Sequence, residues 1–325
     1  MNSSHNHSCA AIAAVVLALA CGMSFAESYP ARPVRLILPY PPGGASDIQG
    51  RALAQQLGEQ LGKTVIADNR PGAGGNFGLE IAAKSRPDGY TIVLSSPTVA
   101  ISPSLYHRMN YNSDTDLMPV ARTTTIENVL IVHPSVPAKS LKELLELARN
   151  HRGGLNFGSS GPGSATHLAS EMLQQITKIK MVHVPYKGGT RAAVALISGE
   201  VDEAILPVPV GIPYIQAGKV RPLAVLSRER VPQLPDVPTG IEAGYKDLQM
   251  SLWYGIFAPH GTPRDIVMRL NQEITKALNS PALNERLVKL GIQPWPGSPE
   301  DFASLVRSER KRYAQLIQVV GIRKH

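Results

Sequence analysis

The chain has 325 residues, of which 43% are hydrophobic and 18% charged, with a formal net charge of +8. This is about twice the length of a typical single domain, and the composition excludes a mainly disordered chain. The basic excess does not indicate nucleic acid. Lys and Arg are dispersed, aromatic residues make up only 5%, and no recognition-helix or zinc-finger spacing occurs.

The first 26 residues contain no Lys, Arg, Asp or Glu. Ala10–Ala20 is an apolar run too short to span a bilayer, and Ser24–Ala26 offers a small-x-small cleavage site. We read this as a secretory leader (residues 1–26) cleaved after Ala26, which places the mature chain in the periplasm. His5 and His7 stand where such leaders usually carry Lys or Arg, and Cys21 leaves a lipoprotein as the alternative. Both cysteines, Cys9 and Cys21, fall in the leader, so the mature chain has no disulfide, no Cys–Zn site and no cysteine nucleophile.

Val34–Leu38 predicts a strand and Ser46–Leu61 a helix, with Leu53, Leu57 and Leu61 on its buried face and Gly62 as its stop. Between them lies the glycine turn Pro39–Asp47. A short strand, Val65–Ala67, runs into the glycine-rich Asn69–Asn76, a helix over Leu79–Ser85 and a strand over Thr91–Leu94. This alternation predicts an α/β protein with a largely parallel sheet and helices on both faces. Val129–Val132 is a further strand, and Ser140 with Glu143 forms a capping box. Leu155–Phe157 leads into a second glycine turn, Gly158–His167. The helix after it carries Leu168, Ala169, Met172 and Leu173 at helical spacing. Val182–Val184, Ala204–Leu206, Leu223–Leu226 and Gly255–Ala258 read as strands. Thr262-Pro263, Ser280-Pro281 and Ser298-Pro299 read as capped helix starts.

The two strand–glycine turn–helix units are the candidate site. Backbone N–H groups at such a turn point ahead of the helix, where its dipole favours an anion such as a carboxylate. The alternative reading of each is a plain turn, with Ser46 or Asp47 capping the first helix and Ser164 the second. Neither turn is a P-loop or a G-x-G-x-x-G fingerprint, so nucleotide binding is poorly supported. Ser164, His167 and Asp202 could together form a serine-hydrolase relay, although the G-x-S-x-G elbow is absent because Pro162 interrupts it. No histidine spacing or carboxylate cluster predicts a metal, and no cofactor is expected.

Taken together, Tyr29–Val34, Pro39–Asp47, Asn69–Asn76, Pro87–Tyr90, Gly158–His167, Val184–Gly188, Gly199–Asp202 and the Thr262-Pro263 helix start resemble the receptors of tripartite tricarboxylate transporters, the Bug family. The resemblance runs through essentially the whole mature chain. It implies a two-lobed periplasmic binding fold (type II), each lobe a mixed, mostly parallel sheet flanked by helices. Residues 27–126 and 253–325 would form one lobe and residues 127–252 the other, joined by two hinge crossings. It also implies a non-enzymatic, monomeric receptor that takes a small carboxylate between the lobes and delivers it to a membrane permease. A ligand sensor for a membrane signalling protein is the other use such a receptor could serve. Carried over, Pro42, Gly43, Gly44, Ser46 and Asp47 form one jaw, and Ser159, Gly161, Gly163, Ser164 and His167 the other. Ser96, Lys187 and Asp202 stand beside them. Tyr40 replaces a frequent Phe and Pro162 a frequent Asn, the latter removing one N–H from the second turn.

Overall fold

The computed structural model describes residues 29–322. The expected leader, with Cys9 and Cys21, lies outside the described residues. Two sheets organise the chain. The first has the order β11-β4-β10-β3-β1-β2, and the second β7-β6-β8-β5-β9.

In the first sheet, β1 (Val34–Leu38) pairs in parallel with β2 (Val65–Asn69) and β3 (Thr91–Ser95). The other strands, β4 (Leu117–Ile126), β10 (Leu252–Pro259) and β11 (Ile292–Gly297), join antiparallel. In the second, β6 (Leu155–Ser159) pairs in parallel with β7 (Met181–Pro185) and β8 (Glu203–Pro207). There β5 (Asn128–Val132) runs antiparallel to β8 and to β9 (Arg221–Val225). Both sheets are therefore mixed, and the expectation of mostly parallel pairing holds only around β1 and β6. The late strands β10 and β11 return from the far part of the chain against the parallel core, a pairing that local periodicity does not encode.

Three helices link strand to strand in the first sheet: α1 (Ala45–Leu61), α2 (Asn76–Ala83) and α3 (Thr98–Leu105). The second sheet carries α4 (Leu141–Asn150), α5 (Ala165–Thr177), α6 (Gly189–Ile197) and α7 (Val208–Gln216). The chain then returns to the first sheet through α8 (Arg264–Asn279), α9 (Pro281–Lys289) and α10 (Pro299–Val320). Helix α1 ends as expected at Gly62, whose φ of 64° is the left-handed conformation glycine adopts freely. Ser140 and Ser298 accept hydrogen bonds from the N–H groups of Glu143 and Asp301, as capping residues should. Thr262 does not cap. Its hydroxyl donates to the Pro259 carbonyl, and α8 begins two residues later. Ser280 likewise turns back to Ala277.

The chain passes between the sheets twice, through Glu127 and through residues 226–251. These crossings are tied to each other. Ser251 Oγ donates to Glu127 Oε2 at 2.6 Å, and Asn128 Nδ2 to the Met250 carbonyl at 2.5 Å. Among the described residues no helix is long and apolar enough to cross a membrane.

Candidate functional site

The parallel strands of both sheets end on the same space. Helices α1, α3, α5, α6 and α7 each follow the carboxyl end of β1, β3, β6, β7 or β8, where open α/β sheets bind their ligands. The five helix starts border one cavity of about 70 Å³. From the first sheet come Gly44, Ala45 and Ser46 of α1, with Ser96 and Thr98 at α3. The second sheet gives Ser164 to Thr166 at α5, Gly188 to Thr190 at α6, and Pro207 and Val210 at α7. Leu252 and Tyr254 of β10 close the hinge side.

No Asp, Glu, Lys, Arg or His borders the cavity. Its polarity comes from helix ends. The first intrahelical bonds run from Ile48 to Gly44, Leu168 to Ser164 and Ala192 to Gly188, so the N–H groups before them have no partner within their helices. Each helix start carries the equivalent of about half a positive charge. Ser46 Oγ is buried without a hydrogen-bond partner, which leaves a neutral hydroxyl available at the same place. The Tyr40 hydroxyl sits 2.5 Å from Ser96 Oγ and 2.6 Å from Thr98 Oγ1. Burial raises the Tyr40 pKa, so the phenol stays protonated and adds no negative charge.

The first glycine turn is held from behind by a carboxylate. Asp47 Oδ2 accepts the Gly43 N–H at 3.0 Å, while Oδ1 takes Arg51 Nε at 2.8 Å and Asn69 Nδ2 at 3.0 Å. Asn69 Nδ2 also donates to the Tyr40 carbonyl. Asp47 is thereby an anchor for the turn, and its oxygens are turned away from the cavity.

The second turn is held by imidazoles. His167 Nδ1 accepts the Gly163 N–H at 3.1 Å, and His183 Nε2 lies 2.6 Å from Ser159 Oγ. The two rings stack at 4.0 Å, and Phe157 stacks on His183 at 4.9 Å. Ser164 Oγ caps α5 through the His167 N–H, and Thr166 Oγ1 accepts the Ser160 N–H.

The opposing walls touch. A Cβ on Gly163 (φ 70°) would lie 2.4 Å from Leu105 Cδ1, and one on Gly188 would lie 3.0 Å from Pro41. Glycine at these positions lets the first-sheet and second-sheet loops close to contact.

Of the residues expected at the site, Gly44, Ser46, Ser96 and Ser164 border the cavity. Pro42 and Gly43 are exposed beside it. Asp47, Ser159, Gly161, Gly163 and His167 shape or brace the turns from behind. Lys187 is exposed on the turn before α6 and does not border the cavity. Asp202 lies at the opposite end of the second sheet, where Oδ2 accepts the Asn156 N–H at 2.7 Å, because β8 begins there and reaches the cavity only at Pro207. The hydrolase relay fails for the same reasons. The His167 ring is bonded to the Gly163 N–H and faces Glu171 at 3.5 Å, not Ser164 Oγ, and Asp202 is remote. Among the described residues no His, Cys, Asp and Glu group could hold a metal. Sequence reasoning missed Tyr40, Thr98, Thr190, Val210 and Leu252. For Thr190 the signal was present, since it ends a third glycine turn, residues 186–190.

Comparison with known proteins bears on the fold as a whole. A protein of R. palustris solved with adipate superposes with a TM-score of 0.88 at 34% identity, covering 91% of this chain and 100% of that one. The periplasmic binding protein BugD gives 0.87 at 33% identity, covering 91% and 100%. MatC from Rhodopseudomonas palustris, with bound malate, gives 0.84 at 31% identity, covering 89% and 100%. The model of the tripartite tricarboxylate transporter family receptor (TctC) matches residues 50–322. The chain belongs to this receptor family.

Proposed function

We propose that the protein is an extracytoplasmic receptor that binds a small carboxylate between two lobes and hands it to the membrane permease of a tripartite tricarboxylate-type transporter. Of the described residues, 32–126 with 253–322 form one lobe and 127–252 the other. The crossings at Glu127 and Ser251 serve as the hinge. The observation that carries this reading is the cavity itself: five helix starts and an unpartnered buried Ser46 hydroxyl, with no charged side chain. Such a wall attracts an anion through the helix-start N–H groups, those of α1, α5 and α6 above all, together with the Ser46 hydroxyl. A hydrogen bond to a charged group contributes about 1.5–3 kcal/mol, so three or four approach the roughly 8 kcal/mol of micromolar binding before closure costs.

At about 70 Å³ the cavity is far below the roughly 300–1,000 Å³ of ordinary small-molecule sites. The described conformation is therefore shut, and entry requires the lobes to part about the hinge. The solved relatives with adipate and malate support a dicarboxylate as the first class to try. Calorimetry of the mature chain against adipate, malate, acidic amino acids and aromatic acids should give saturable heat with at least one. No saturable heat across that panel would sink the proposal. Uptake of the bound acid should then disappear when either the receptor or the permease is deleted.

A further inference from the structure

A larger hollow lies on the other side of the hinge strand. Along β10 and the residue before it, Leu252 and Tyr254 face the cleft, while Ser251 and Trp253 face a rear groove of about 530 Å³. This is the two-residue alternation of a strand, and it puts the two spaces on opposite faces of one element. The groove runs beside the second crossing and the end of β4 at Thr125. Arg228 and Gln249 reach it from the segment after β9, and Trp295, Leu305 and Arg312 from β11 and α10.

Its chemistry is unlike that of the cleft. Trp253 forms a nearly buried floor, its Nε1 donating to Glu309 Oε2 at 3.1 Å and its ring set edge-on to Phe302. Trp295 is 38% exposed. One of its ring faces is covered by the Arg122 guanidinium at 3.6 Å, and Arg122 also donates to the Trp295 carbonyl. The indole is thus held by Arg122, and its exposed part borders the groove. Arg312 is neutralised by a two-pronged pair with Glu309. Arg228 is exposed and, among the described residues, has no hydrogen-bond or ion-pair partner. A fixed aromatic face, an apolar floor and one unmatched guanidinium suit a flat apolar body that ends in a single negative charge. The volume lies within the ordinary range for small-molecule sites.

We propose that this rear groove is a second ligand site, distinct from the cleft, for a small aromatic carboxylic acid stacked on Trp295 and paired with Arg228. The two spaces border alternate residues of one segment, 251–254, and have no lining residue in common. The chain has two tryptophans, and both border the groove, so their fluorescence reports it directly.

The test uses 2-naphthoate on the mature protein, followed by tryptophan fluorescence and by calorimetry. Saturable quenching is expected. Arg228→Ala should weaken it by about ten-fold, the scale of one charge-assisted bond, and Trp295→Ala should do likewise by calorimetry. Both side chains are exposed, so neither change threatens the fold. Gly163→Val, which wedges the cleft, should leave naphthoate binding in place. Quenching that does not saturate, that Arg228→Ala leaves unmoved, or that Gly163→Val abolishes would overturn the proposal; the last result would put the acid in the cleft.

Discussion

The two glycine turns have the same shape but are braced by different chemistry. Behind the first, a carboxylate gathers a backbone N–H, a guanidinium and an amide around Asp47. Behind the second, stacked imidazoles of His167 and His183 hold the Gly163 N–H and the Ser159 hydroxyl. On the cavity side both present the same thing, the uncommitted N–H groups of a helix start. The difference teaches that the presented surface is set by backbone geometry, whereas the brace is free to vary so long as it fixes that geometry. Breaking the shape should therefore cost more than breaking either brace.

The largest effect is expected at Gly163. Valine there would need φ near 70° and would drive its Cβ to 2.4 Å from Leu105 Cδ1. Left-handed φ alone costs about 1–2 kcal/mol for a residue with a Cβ, and the clash is relieved either by turning the buried Leu105 side chain or by parting the walls. Affinity for the cleft ligand should fall by more than about a hundred-fold, a loss of roughly 2.7 kcal/mol. Gly44 makes the contrast: its φ is −81° and an added Cβ meets only the Pro41 carbonyl at 3.6 Å. Gly44→Ala should change affinity by less than about three-fold, under roughly 0.7 kcal/mol. Calorimetry on both variants decides the matter, and equal losses would mean that closure is not what Gly163 permits.

The two sheets differ in a second way that bears on stability. In the first, burial pushes the Asp68 carboxyl up, but the hydrogen bonds and charges of Arg35 and Arg70 outweigh it and hold the pKa below its ordinary value. In the second, Glu203 is fully buried in β8 and neither carboxylate oxygen has a partner. Burial, and then the neighbouring Asp202 charge, push its pKa up to about 8. A raised folded-state pKa means that the folded form holds this proton longer than the unfolded chain does. Stability is then greatest below the ordinary value of 4.5 and is lost as pH rises toward 8. Glu203→Gln should flatten that decline and raise stability at pH 8 by a few kcal/mol, since each pH unit crossed between the two values removes about 1.4 kcal/mol. Urea unfolding from pH 4 to 9 measures it, and parallel curves for the two proteins would show that Glu203 is not the source.

The sequence is most legible where punctuation and periodicity agree. Gly62 after the leucines of α1, Ser140 before Glu143, and Ser164 before the apolar face of α5 all mark real boundaries. Residues 98–126 offer no such signal. Helix α3 carries Pro103, and β4 includes Pro119 and Arg122 with no apolar alternation, so local pattern points to loop; their order comes from packing against β10 and α10. Helix α7 is hidden for a similar reason, since Pro209, Gly211 and Pro213 look like breakers. Proline near a helix start costs no hydrogen bond, and that start is what the cavity uses. In the site, the turns are visible in the sequence but the roles are not. Asp47 and His167 look like ligand contacts in one dimension, and only the fold shows them facing backwards.

Asp47 offers the finest test of the two-brace comparison, because its conservative replacement should be the worse one. Its two oxygens accept three donors: Gly43 N–H on Oδ2, Arg51 and Asn69 on Oδ1. An asparagine supplies one acceptor and one donor. If its NH₂ replaces Oδ2 it faces the Gly43 N–H; if flipped, it faces Arg51 and Asn69, so either orientation sets donor against donor. Alanine removes the acceptors without adding a conflict, and the Gly43 N–H, which is exposed, can turn to water. Asp47→Ala should lower unfolding stability by about 1.5–3 kcal/mol and weaken cleft binding by about ten-fold. Asp47→Asn should match or exceed both losses. The corresponding change in the other turn, His167→Phe, keeps the stack on His183 but leaves the buried Gly163 N–H without its acceptor, at a cost of about 1–3 kcal/mol, and should cost less than Asp47→Asn. Denaturant melts and calorimetry on the three proteins rank the braces. A His167 variant weaker than both Asp47 variants would reverse the comparison and make the imidazole stack the principal support of the site.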